Sequence, residues 1–224
     1  MTDIMTKGIS QWVVGLVALG ALSVVPPGAL RLDAQTPSSV SGQGYAAVVR
    51  LATATHQFAD AVLPGEGGMA HADLDNATMM NALSANALNA ITTGMVGDEG
   101  ASSQTSAEAA DVSILDGLVT AQQVVAVASS YATTLAAASD ATGSTLLGLV
   151  VSGVSMGDVT PAPNMRVNLP GVGYVVLNEQ AVTGDGWRSS GIAVNMIHVY
   201  VQDAVTGVVT GEIVVGGATS GVEL

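Results

Sequence analysis

The feature that most constrains this chain is a period-two alternation of apolar and polar residues, repeated in segments bounded by glycine and aspartate. The clearest case is Ile192–Val201, which alternates over ten positions and changes phase near Met196–Ile197. Successive side chains of a strand point to opposite faces of a sheet, so the pattern predicts a strand with one buried face. The change of phase predicts a β-bulge at Met196–Ile197.

Other segments carry the same signal. Val112–Leu115 and Leu118–Ala121 flank Asp116-Gly117, a dipeptide typical of a tight turn between two strands. Leu146–Val154 and Gly173–Glu179 predict further strands. The sequence therefore predicts an all-β chain with glycine and aspartate turns.

Alanine-rich stretches offer the one competing interpretation. Asn81–Ala90 and Ala101–Ala110 favour helix by propensity, but they show no sustained 3.6-residue period, and Ala101–Ala110 contains the β-branched Thr105. We interpret them as β structure as well, and Asn76–Ile91 is where a helix competes most strongly.

Two architectures fit these strands. Strand–turn–strand patterns begin at Ala77, Val112 and Thr145, which suggests either a short β-solenoid or successive hairpins of a β-sandwich. Aromatic residues are only 3% of the chain, with one phenylalanine, so either core must be built from small side chains. The expectation is one all-β domain of short antiparallel or stacked strands.

The N-terminus resembles an export signal. Lys7 precedes an apolar run, Trp12–Val25, and Pro26-Pro27 ends it before a small-residue cleavage site at Ala34. We expect residues 1–34 to be a secretory signal peptide, 35–44 a flexible linker or arm, and 45–224 a β-rich extracellular domain. The run is shorter than a membrane span, so no span is expected after cleavage, and the protein is expected to be secreted or on the cell surface.

Composition then excludes several classes of protein. The net charge of −13, with five basic residues, argues against nucleic acid as a partner. Zero cysteine excludes disulfides and thiolate metal sites. Lys7 is the only lysine, so the processed chain would hold none, which excludes lysine isopeptide bonds and sortase-linked pili.

One segment resembles a known family. Pro163–Gln180 contains a Pro-Asn start, a Leu-Pro-Gly-Val-Gly turn and a strand closing in Leu-Asn-Glu-Gln, and it is similar to the hallmark of the choice-of-anchor P family of bacterial surface proteins. The similarity extends over roughly Gly44 to Gly221. It implies a secreted, β-rich surface domain with no assigned catalysis. The C-terminal segment Gly216–Leu224 departs from the family because it carries no sorting signal.

Candidate sites are few. Asp73 and Asp75, beside His71, and Asp98-Glu99 are candidates for calcium ligands; no other cofactor is expected. Trp187 and Arg188, in a glycine-rich turn, are candidates for a binding patch. His198 is predicted to be a hydrogen-bonded sheet residue. No catalytic constellation is evident, so no enzyme activity is expected.

Two functions remain open. The first is a structural surface or matrix protein that associates with itself into oligomers or extracellular fibres, by adding the Gln35–Gly44 arm or a terminal strand to a neighbour's sheet. The alternative is a soluble extracellular module that binds a glycan, a peptide or calcium.

Overall fold

All regular secondary structure in the described part of the chain is β-strand. The computed structural model describes residues 38–51 and 54–224. These residues form thirteen strands, β1 to β13, in two sheets whose neighbouring strands are antiparallel. The predicted all-β class is thus confirmed, and the alanine-rich residues Leu83–Ala90 and Ala101–Ala110 lie in strands.

Sheet A contains six strands and is built from both ends of the described chain. Its spatial order is β10-β11-β12-β13-β1-β2. The strands are β1 (Ser39–Leu51), β2 (Ala54–Val62), β10 (Met165–Leu169), β11 (Gly173–Gly184), β12 (Ser189–Gln202) and β13 (Val209–Glu223).

Sheet B contains the seven strands of the middle of the chain. Its order is β3-β4-β5-β6-β8-β9, with β7 paired to one end of β6. The strands are β3 (Gly68–Met79), β4 (Leu83–Gly97), β5 (Gly100–Ile114), β6 (Val119–Thr133), β7 (Ala137–Asp140), β8 (Thr145–Val151) and β9 (Val154–Val159).

The two sheets pack face to face around one main core. Fully buried side chains from sheet A, such as Val194 and Ile213, join those from sheet B, such as Leu88 and Val124, in a single cluster. Many of the other members are alanine, as expected from a chain with few aromatic residues. Of the two architectures left open by the sequence, the structure is the sandwich.

The apolar face of β12 changes phase where the sequence predicts it. Val194 and Met196 face the core, and so do Ile197 and Val199. The register does not slip, however, because Asn195 pairs with Gly217 and Ile197 pairs with Val215. The predicted β-bulge is therefore wrong, although the change of phase is found: it occurs without an extra residue in either strand.

The same change of phase occurs at one level across the neighbouring strands of sheet A. Asn178 and Gly216, opposite Met196 on the two neighbouring strands, have positive φ angles of 50° and 68°. Ala59 on β2 also has a φ of 50°, at the same level. Alternate strands thus take a left-handed residue, which turns the following side chains to the other face while the ladder continues.

The expected boundaries need one correction. Residues 35–44 were predicted to be a linker or arm, but β1 begins at Ser39, and Ser39–Gly44 pairs with β13 in the interior of sheet A. Val40 is buried there, which gives the segment a packing role that its Ser/Gly composition does not reveal. The predicted signal peptide, residues 1–34, lies outside the described residues.

Candidate functional site

The outer face of sheet A, the face turned away from sheet B, carries a compact polar and aromatic cluster. We call it the Glu179 cluster; its members are Tyr45, Arg50, Arg166, Tyr174, Glu179, Asn195, His198, Tyr200 and Glu212. It contains three of the four tyrosines in the chain. In a chain with so few aromatic residues, this concentration marks the face as a candidate site.

The phase change assembles this cluster. Asn195 and His198 are three residues apart on β12 and would face opposite sides of a regular strand. Because the apolar face switches at Met196–Ile197, both side chains lie on the outer face and reach the same carboxylate, that of Glu179.

Glu179 is the centre of the cluster. Its Oε2 accepts hydrogen bonds from His198 Nδ1 at 2.6 Å and Asn195 Nδ2 at 2.9 Å, and its Oε1 accepts one from Tyr200 OH at 2.8 Å. These donors, with the His198 bond the largest contribution, lower the pKa of Glu179 from 4.5 to about 2, against the opposing effect of burial. Glu179 is therefore ionised at neutral pH.

The ionised carboxylate of Glu179 determines which ring nitrogen of His198 donates the hydrogen bond between them. A carboxylate can only accept, so Nδ1 of His198 carries the proton of that bond. The other ring nitrogen, Nε2, is buried without a hydrogen-bond partner among the described residues and lies 3.9 Å from Glu212 Oε2. The imidazole thus lies between two carboxylates.

Four planar groups stack across three strands. The Arg166 guanidinium lies 3.7 Å from the centre of the Tyr174 ring, and Tyr174 stacks on Tyr200 with 4.7 Å between ring centres. Tyr200 stacks in turn on His198 at 3.9 Å. Burial and the hydrogen bond to Glu179 raise the pKa of Tyr200, so its hydroxyl keeps its proton and donates.

Tyr45 closes the cluster from β1. Its ring passes over Gly217, where a Cβ atom would lie 2.1 Å from the ring, and its hydroxyl donates to Asn195 Oδ1 at 3.0 Å. Arg50, on the same strand, pairs with Glu212 at 3.4 Å. Side chains from five strands therefore cross-link the outer face.

This arrangement does not form a nucleophile–base pair. Glu179 orients His198 as a carboxylate orients a catalytic histidine, but Nε2 is buried and faces Glu212 instead of a hydroxyl or thiol. In this geometry the pair holds the face together and does not activate a nucleophile. His198 is a hydrogen-bonded sheet residue, as the sequence predicted.

The acidic candidates do not converge. Asp73 and Asp75 lie on β3, where Asp73 faces His71 at 3.7 Å between Oδ1 and Nδ1. Asp98 and Glu99 form the turn between β4 and β5. Within residues 38–51 and 54–224, no group of three or more histidine or acidic side chains is placed to hold a metal ion.

Trp187 and Arg188 lie together at one end of sheet A, in the turn between β11 and β12. Both side chains are exposed and neither belongs to the Glu179 cluster. The sequence missed that cluster because its members are spread from position 45 to position 212. The one available signal was the phase change that lies between Asn195 and His198.

No protein family, curated protein or solved structure matches this chain. The likeness to the choice-of-anchor P family remains a prediction from the Pro163–Gln180 segment. In the described part of the chain, no helix has the length and apolar character needed to cross a membrane.

Proposed function

We propose that this protein is a secreted, non-catalytic structural protein that associates with copies of itself by adding strands at the β3 edge of sheet B. The observation that carries the proposal is the length and surroundings of that edge. An edge strand presents a row of unpaired backbone N–H and C=O groups that can pair with another chain.

The four edges of the sandwich differ in length. β10 and β9, on one side, have five and six residues, whereas β2 and β3, on the other, have nine and twelve. Twelve residues correspond to about 40 Å of strand at ~3.3 Å per residue. β3 therefore offers the longest ladder to a partner strand.

Exposed apolar side chains lie beside this edge. Met69 on β3 is 70% exposed, Met95 on the neighbouring strand is 69% exposed, and Ile91 on that same strand is also exposed. The outward-facing residues of β5 and β6 at the same end continue the surface without charge as Ser102, Gln104, Ser106, Val127, Ser129 and Tyr131. On a chain with a net charge of −13, an uncharged surface of this kind favours protein contact.

The acidic residues of β3 set a condition on pairing. Asp73 and Asp75 lie near the middle of the strand, and two copies paired along it bring their carboxylates together. Like charges at that distance oppose pairing, and a divalent cation relieves the repulsion. We therefore expect calcium to strengthen the association.

The edge replaces the arm as the proposed contact. Ser39–Gly44 is already paired with β13 in its own sheet, so the arm is not free to add to a neighbour. The β3 edge requires no rearrangement of the protomer.

Light scattering and electron microscopy of the purified protein, with and without calcium, test the proposal. We expect concentration-dependent oligomers that a Met69→Asp/Leu74→Asp variant weakens on the order of tenfold, because two further carboxylates then join Asp73 and Asp75 on each edge strand. Val205→Asp is the matched control, since Val205 is 94% exposed in the β12–β13 turn, away from β3. A protein that stays monomeric at high concentration under both conditions contradicts the proposal.

A further inference from the structure

A groove of about 320 Å³ crosses the outer face of sheet A at the end that carries Trp187. Four residues in register form its central row: Thr183 on β11, Gly191 on β12, Gly221 on β13 and Ser41 on β1. The two central strands contribute only glycine, so the floor is backbone. Four strands at ~4.8 Å spacing make the groove about 14 Å long across the sheet.

Hydroxyl groups lean over this floor. A Cβ atom on Gly221 would lie 2.6 Å from Ser41 Oγ, and one on Gly191 would lie 2.9 Å from Thr183 Oγ1. Neither hydroxyl donates a hydrogen bond to another of the described residues. The groove therefore presents two hydroxyls that a ligand can engage.

The floor is held from below by a chain of buried hydroxyls. Ser190 and Ser220, next to the two glycines, face sheet B. Ser190 Oγ bonds to Ser139 at 2.7 Å, and Ser220 Oγ bonds to Ser130 at 2.6 Å. Ser130 and Ser139 bond to each other at 2.8 Å. A groove fixed in this way needs little reorganisation when a ligand binds.

The turn that bears Trp187 is equally fixed. Oδ1 of Asp185 accepts 2.9 Å hydrogen bonds from the backbone N–H groups of Trp187, Arg188 and Ser189. These bonds, led by that from Ser189, lower the pKa of Asp185 to about 2. The carbonyls of Gly186 and Arg188 accept from Ala137 and Leu224, which ties the turn to β7 and to the C-terminal segment.

The side chain of Trp187 is exposed to solvent on this fixed turn. It is 64% exposed, although burial of an aromatic side chain would stabilise the fold. The turn joins the two strands that form one half of the groove, and Gly184 and Ser189 on either side of it line the groove. An exposed indole on a fixed turn next to a groove with two hydroxyls is a combination suited to a ligand with both a flat apolar face and many hydroxyls.

We propose that this groove and Trp187 bind a neutral oligosaccharide. A sugar ring has an apolar face that stacks on indole and hydroxyls that exchange hydrogen bonds with Ser41 and Thr183. The net charge of −13 disfavours an anionic polymer, and no cluster of basic residues lines the groove. This site is separate from the β3 edge and does not depend on self-association.

Affinity electrophoresis and calorimetry of the purified protein test the site, with soluble β-glucan, α-mannan and galactan as neutral probes and alginate as the anionic one. We expect at least one neutral polysaccharide to bind and alginate not to bind. Trp187→Ala should weaken binding at least tenfold by removing the stacking surface. Gly221→Leu should do the same by filling the groove, because Gly221 lies outside the positive-φ region and its nearest neighbour is the mobile end of Ser41.

Val205→Ala is the matched control, because Val205 is an exposed apolar residue in the β12–β13 turn, at the opposite end of β12 from Trp187. Circular dichroism and the urea midpoint of each variant show that it is folded. Absence of binding to every neutral polysaccharide overturns the inference, as does binding that both groove variants leave unchanged, or preferential binding of alginate. None of these outcomes alters the oligomer measurement, so the two proposals fail independently.

Discussion

At the residue scale, Glu179 is the most connected side chain on the outer face of sheet A. Its carboxylate accepts bonds from His198, Asn195 and Tyr200, and through Asn195 it is linked to Tyr45. Such hydrogen bonds to a charged group contribute about 1.5–3 kcal/mol each when donor and acceptor are well aligned. Glu179 therefore connects β11, β12 and β1 more firmly than the backbone ladder alone.

The lowered pKa of Glu179 predicts a dependence of stability on pH. A carboxyl whose pKa falls from 4.5 when unfolded to about 2 when folded stabilises the fold above pH 4.5, and this contribution is lost as the pH falls from 4.5 towards 2. Glu179→Gln should lower the free energy of unfolding at pH 7 by about 2–3 kcal/mol. It should also reduce the loss of stability as the pH falls from 4.5 towards 2. Urea unfolding between pH 2 and 7 measures both effects.

The control for that prediction is Glu108→Gln, which changes a carboxylate on the outer face of sheet B. Glu108 makes no side-chain hydrogen bond with the described residues, so the variant should unfold like the wild type across the pH range. If Glu179→Gln and the wild type lose the same stability between pH 4.5 and 2, the hydrogen bonds of Glu179 do not stabilise the fold.

At the element scale, the row of phase changes explains how strands of up to fifteen residues keep an apolar inner face. Asn178, Gly216 and Ala59 take left-handed backbone on alternate strands, and the strands between them continue without a slip in register. Left-handed backbone costs roughly 1–2 kcal/mol for a residue with a Cβ atom, so glycine is favoured at this row.

Gly216 is the position where this requirement is strictest. A Cβ atom there would lie 2.7 Å from Val124 of the opposite sheet, in addition to the cost of a φ of 68°. Gly216→Ala should therefore lower the free energy of unfolding by about 2–4 kcal/mol, through backbone strain and overpacking together. Urea denaturation at pH 7 checks it.

Gly97→Ala serves as the comparison, because Gly97 lies outside the positive-φ region and its Cβ would make only an ordinary 3.8 Å contact. That variant should change the free energy of unfolding by less than about 1 kcal/mol. If the two variants unfold alike, the row at Gly216 does not require left-handed backbone.

At the scale of the whole molecule, β1 joins the two halves of sheet A. It lies between β13, from the end of the chain, and β2, from the beginning, and its first residues cover the buried pair Thr92 and Thr105 of sheet B. The segment that the sequence suggested as a free arm is therefore an internal strand of the sandwich.

Truncation distinguishes the two views of this segment. We compare a chain that starts at Ser38 with one that starts at Tyr45. The shorter chain should have a free energy of unfolding lower by at least about 3 kcal/mol, because it lacks the buried Val40 and several ladder hydrogen bonds. Circular dichroism during urea denaturation measures the difference. Equal stability of the two chains would restore the linker assignment for residues 39–44.

The sequence by itself determined what is local. Alternation in Ile192–Val201, the Asp116-Gly117 turn between β5 and β6, and the position of the phase change could all be predicted, because strand faces and tight turns depend on neighbouring residues. The small-residue core followed from composition, and the Trp187–Arg188 turn was a candidate because glycine and aspartate mark it.

Only the tertiary structure decided what meets across the sheets. Tyr45, Glu179 and Glu212 come together because β1, β11 and β13 share sheet A, and Thr183, Ser41 and two glycines form one groove by register alone. The choice between sandwich and solenoid stayed open for the same reason, and for that reason too residues 35–44 were predicted to be a linker or arm. Pairing between distant strands depends on which alignment buries the most apolar surface over the whole molecule, and no short segment of the chain contains that information.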